Sequence, residues 1–113
     1  MQAANRPLPA MSLAIVGIDY PNRDGSNRRF ALSLCEPGDA IELRPEPRNR
    51  KDANAIAVVS ERGEQLGYLT AERAPRIGQL IRQGREVRAV FQGMRENRAW
   101  VRAAFDGNEP KIA

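Results

Sequence analysis

A chain of 113 residues holds one domain with one hydrophobic core and leaves no room for a second. Eighteen Lys and Arg against fourteen Asp and Glu give a formal charge of +4, a bias that permits a polyanionic partner without demanding one. The absence of His excludes His-dependent triads and His-based acid/base catalysis, and a single cysteine, Cys35, excludes a disulfide framework and a Cys/His zinc site.

Residues 1–11 read as an N-terminal tail without a basic start or an apolar signal core. "SLAIVGIDY" (Ser12 to Tyr20) is rich in β-branched residues and predicts a strand that ends at Pro21. "PNRDGSNRR" is a polar loop. "FALSLC" (Phe30 to Cys35) resumes alternation, with Phe30, Leu32 and Leu34 on one face, and predicts a second strand. "AIELR" (Ala40 to Arg44) is a third, stopped by Pro45 and Pro47, which cannot donate to a ladder. "NAIAVVS" (Asn54 to Ser60) and "EQLGYLT" (Glu64 to Thr70) flank a turn in which Gly63 supplies positive φ, so they predict a hairpin.

From Thr70 the period changes. Ile77, Leu80 and Ile81 fall on one helical face and Gly84 stands where a helix stops, which predicts a short turn over Ala71 to Ala74 and a helix starting near Pro75. "REVRAVFQG" and "NRAWVRAAF" close the chain as a hairpin around "MREN", and residues 106–113 read as a tail. The fold class expected is mainly β: a small, partly open OB-like or modified Greek-key barrel of about six strands over residues 12–105. One or two short helices are inserted before its last hairpin.

Sixteen of the eighteen cations are Arg, which suits bidentate grip on phosphate and equally fits an Arg- and Ala-rich coding bias. Cys35 reads as a small buried residue in a reduced compartment, and a cytoplasmic protein without membrane association is expected. No Gly-Lys-Ser/Thr phosphate loop and no metal-ligand cluster occurs, so neither an enzyme nor a cofactor is expected. "RPEPRNRKDANAIAV" (Arg44 to Val58) concentrates the chemistry: four cations and two carboxylates in a proline-broken loop that runs straight into an apolar strand. Asp52, beside Arg48, Arg50 and Lys51, is out of place if those cations face only phosphate.

Glu46-Pro47-Arg48-Asn49, Asp52-Ala53-Asn54-Ala55-Ile56, Gly63 and Leu66-Gly67-Tyr68-Leu69, with Val16-Gly17-Ile18-Asp19-Tyr20 upstream, form a pattern that resembles the HIRAN domain from about Leu13 to Phe105. The resemblance implies a modified OB fold that binds the 3′ end of single-stranded DNA, in eukaryotes attached to ATPases that remodel stalled replication forks. It implies that Tyr20 stacks on the terminal base and that Asn49 and Asp52 bond the terminal 3′ hydroxyl. Arg48, Arg50, Lys51, Arg28 and Arg29 then hold phosphates, and Gly17, Asn54, Gly67 and Tyr68 are motif residues of the scaffold. A carboxylate repels phosphate but accepts from a free hydroxyl, which gives Asp52 a reason to be there.

Each of these residues also has a plainer use. Asp52 and Asn54 suit local bonds to the backbone that shape a turn. Gly67 suits close packing, and Tyr68 suits the barrel rim with its hydroxyl outward. Trp100, between Arg98 and Arg102 on one strand face, suits either a stacking surface or closure of the barrel. Asp19 and Pro21 depart from the family pattern, which favours a cation and a second aromatic there, and Ala53 stands where Lys is frequent; Arg23, Arg28 and Arg29 are the nearby cations. Two functions follow. The first is a non-catalytic module for DNA 3′-hydroxyl ends in repair or replication restart, with a separately encoded ATPase, helicase or nuclease as partner. The second is a protein-interaction barrel that has lost DNA binding.

Overall fold

The computed structural model describes residues 8–112; Met1 to Pro7, within the expected N-terminal tail, and Ala113 lie outside the described residues. In chain order the elements are β1 (Met11–Val16), α1 (Arg28–Ser33), β2 (Ala40–Pro45), β3 (Ile56–Val59), β4 (Gln65–Leu69), α2 (Ala74–Arg82), β5 (Val87–Arg95) and β6 (Arg98–Phe105). The strands close into an antiparallel barrel in the order β1-β4-β3-β2-β5-β6, so every strand is paired on both sides and the barrel is closed rather than partly open. Leu13, Ile15, Val58, Leu66, Val101 and Phe105 fill its interior from the strands, and Ile77 and Leu80 of α2 join the same cluster.

Local chemistry accounts for most boundaries. Pro75 sits in the first turn of α2, where its missing N–H is no loss, one residue later than the expected first position. Gly84, at φ +80°, ends α2 in a Schellman arrangement: its N–H bonds Ile81 O at 3.0 Å and Arg85 N–H bonds Leu80 O at 3.1 Å. The last hairpin is longer and tighter than expected. Glu96 and Asn97 both take positive φ, the two-residue type I′ geometry that matches strand twist. Only α2 is inserted before that hairpin; α1 lies between β1 and β2.

The expectation of a strand over Phe30 to Cys35 is wrong. Asn27 caps a helix there, its Oδ1 accepting from Phe30 N at 2.9 Å, and Arg28, Ala31 and Leu32 turn inward at helical spacing while Phe30 is 63% exposed. The strand expected to reach Tyr20 also stops early, at Val16, because Gly17 adopts φ +74° and turns the chain. Tyr20 therefore stands in the loop beyond β1. Cys35 is half-buried and Sγ contacts Ala31 O at 3.4 Å; burial, then the charges of Asp39 and Glu64, push its thiol up. Among the described residues no helix is long and apolar enough to cross a membrane.

Candidate functional site

The sequence motifs converge on the outer face of β4. Val16 of β1 and Ala57 of β3 flank Tyr68 in the barrel register, and Tyr68 is half-buried with its ring outside the core. Its hydroxyl donates to Glu46 Oε1 at 2.8 Å, and Asn49 Nδ2 donates to the same oxygen at 3.0 Å. The Arg28 guanidinium lies over the other end of the assembly, 5.5 Å from the Tyr68 ring centroid. From there Arg28 Nη1 donates to Gly17 O at 2.8 Å and Nε to Asn22 Oδ1 at 2.7 Å. One chain of contacts thus joins the turn after β1 to the loop after β2.

Arg28 corrects the sequence expectation. It is not held out for phosphate; it is only 8% exposed and two of its donors are spent on the protein. Its role is to clamp the Gly17 turn onto Tyr68, which a lysine cannot copy because one ammonium does not reproduce the planar fork. Arg28→Lys is expected to cost about 1.5 kcal/mol, lowering the melting temperature by roughly 5–10 °C in thermal denaturation.

Tyr20 is 70% exposed and lines an open pocket of about 410 Å³ with Asp19, Pro21, Asn27, Arg28 and Arg29. A Cβ on Gly17 would lie 3.9 Å from Tyr20 Cδ2, so the ring rests beside that turn. Asp19, the acid beside the aromatic, is not free: Arg29 Nε donates to it in an exposed ion pair, and that bond holds its carboxyl below the usual range. The pairing offsets the negative charge at Tyr20 and engages Arg29 as well.

In the other loop Asn49 and Asp52 shape the backbone. Asn49 Oδ1 accepts from Lys51 N at 2.9 Å and Asp52 N at 3.1 Å; Asp52 Oδ1 accepts from Asn54 N at 2.8 Å. Asn54 takes part through its backbone N–H. Asp52 Oδ2 accepts no hydrogen bond from the described residues, and Arg48, Arg50 and Lys51 are exposed with no carboxylate partner among them. Gly67 is required for contact rather than for a turn: at φ +154° its Cα packs so closely on β1 that a Cβ would sit 2.3 Å from Val16 O. Trp100 is half-buried on the outside of β6 opposite Gly93, and its Nε1 is buried without a partner among the described residues.

The profile of the HIRAN domain matches residues 10–107. The chain belongs to the HIRAN domain family. Two solved structures share the fold. The HIRAN domain of human HLTF superposes with a TM-score of 0.66 at 20% identity, over 85% of this chain and 74% of that one. A protein from Lactobacillus plantarum superposes with a TM-score of 0.70 at 20% identity, over 87% of this chain and 97% of that one. No curated protein matches in sequence. The HIRAN pattern of separated motifs therefore corresponds to a single surface, with Tyr68 at its centre and Tyr20 and Asp52 on the two loops that flank it. Sequence reasoning missed the tie between those loops, Glu46, although its place in the Glu-Pro-x-Asn motif marked it.

Proposed function

We propose that this HIRAN domain is a non-catalytic module that binds single-stranded DNA at a free 3′-hydroxyl end. DNA binding is the property for which the family is known. The observation that carries the reading is the Arg28–Tyr68–Glu46–Asn49 chain of contacts, which links exposed Tyr20 to the loop bearing the unengaged Asp52 Oδ2. Tyr20 stacks on the terminal base, an interaction typically of about 1–3 kcal/mol and tolerant of sequence. Asp52 accepts the terminal hydroxyl and repels a terminal phosphate, Asn49 sets the loop that aims it, and Arg48, Arg50 and Lys51 neutralise neighbouring phosphates. In the cytoplasm the module would serve repair or fork restart beside a separately encoded ATPase, helicase or nuclease.

Fluorescence anisotropy with short oligonucleotides ending in 3′ hydroxyl or 3′ phosphate, at two salt concentrations, tests this. The hydroxyl end is expected to bind at least about tenfold more tightly, the equivalent of roughly 1.5 kcal/mol for a charge-assisted bond. Equal, weak binding of both ends that modest salt abolishes would overturn end recognition and favour the protein-interaction barrel.

A further inference from the structure

The barrel register extends the surface around Tyr68 in a direction that none of its motifs mark. Tyr68 of β4 pairs with Val16 of β1, Ile15 pairs with Ala99 of β6, and Arg98 of β6 pairs with Arg95 of β5. One step along the β1–β6 ladder from Ile15 and Ala99 brings Val16 opposite Arg98. Ala99 and Val101 are fully buried, so alternation turns Arg98 outward with Val16 and Tyr68. A row Tyr68, Val16, Arg98, Arg95 therefore crosses four adjacent strands, about 14 Å at the usual strand spacing.

Its chemistry is one-sided. Val16 is 41% exposed, an apolar step between aromatic and cations, and it immediately precedes the Gly17 turn against which Tyr20 rests. Arg95 and Arg98 are exposed and form no ion pair among the described residues, whereas Arg29, Arg44, Arg85 and Arg88 are all paired with carboxylates. The one acid on this hairpin, Glu96, occupies the two-residue turn with Asn97, where positive φ carries it past the end of the ladder.

We infer that Arg95 and Arg98 form a second phosphate-binding element, which holds the part of a single DNA strand that leads away from the end bound at Tyr20 and Asp52. The inference rests on the proposed end site, with which the row is continuous. Arg98 and Arg95 lie two and three strands from Tyr68, about 10 and 14 Å along the sheet and beyond a nucleotide seated at the end site, so they contribute only once the strand is several nucleotides long.

The test compares a thymidine trimer and a decamer, both with 3′ hydroxyls, by anisotropy across a salt series. For the intact domain the decamer binds more tightly than the trimer. The double variant Arg95→Ala/Arg98→Ala is expected to lose about tenfold affinity for the decamer, to flatten its salt slope by about 1.4, and to bind the trimer as the parent does. Arg62→Ala/Lys111→Ala removes the same charge outside the row and is expected to keep the parent's decamer slope. If the Arg95/Arg98 variant binds the decamer like the parent, or if the Arg62/Lys111 variant loses as much, the track is wrong while the end site stands. If the parent binds neither oligonucleotide, the end site falls and the track with it.

Discussion

Replacing Asp52 by Asn is expected to leave the loop folded and to remove its choice between DNA ends. In the proposed end site Asp52 has two separable duties. Its Oδ1 accepts from Asn54 N at 2.8 Å, a bond an asparagine oxygen also accepts, so the turn survives and the melting temperature stays within about 2 °C of the parent. The negative charge does not survive. A bond to a charged acceptor contributes roughly 1.5–3 kcal/mol against about 1 for a neutral one, so hydroxyl-end affinity falls several-fold or more. Affinity for a 3′-phosphate end rises, because the repulsion is gone, and the two ends converge. Asp52→Ala loses both duties, and its loss of stability marks how much the turn bond contributes. Unchanged hydroxyl binding by Asp52→Asn would remove the carboxylate from the proposed site and leave Tyr20 and the cations to account for binding.

Gly67→Ala is expected to have the largest effect on stability, about 4 kcal/mol, and to lower the melting temperature by 15 °C or more where the variant folds. Gly67 lies where β1 and β4 close the barrel. An added Cβ would meet Val16 O at 2.3 Å and Ile15 Cγ2 at 2.8 Å, and neither can retreat without parting the Ile15–Leu69 and Val16–Tyr68 pairs. The backbone φ of +154° adds a strain that an L side chain does not relieve. Gly63→Ala separates the two causes. Gly63 has φ +88° but open space around its Cβ position, so it carries the conformational penalty alone, about 1 kcal/mol. Chemical denaturation of the two variants checks the difference. Equal losses would mean that contact with β1 contributes nothing.

The strands that form the barrel, the two hairpins and α2 were legible in the residues because short-range rules decide them. Alternation marks the buried faces, Pro75 and Gly84 bracket the helix, and Gly63 permits its turn. The motif loop was legible too, as four cations gathered with two carboxylates. What escaped was decided by contacts between distant segments. Over six residues, Phe30 to Cys35 fits a period of two, while Arg28, Ala31 and Leu32 fit a helix; only packing against β4 and the cap from Asn27 choose between them. Arg28 reads in sequence as one more surface cation. It goes inside because the turn at Gly17 brings a carbonyl from eleven residues away, and Tyr68 from β4, to the same place. The sequence by itself thus marked the motif residues on which the proposed end site is built and determined which segments pair locally. Tertiary structure alone determined that Arg28 serves the scaffold, that Asp19 is paired with Arg29, and that Arg95 and Arg98 lie in register with Tyr68. The reason is that partner and register across a closed barrel depend on which strands become neighbours, and that is written in no local stretch of the chain.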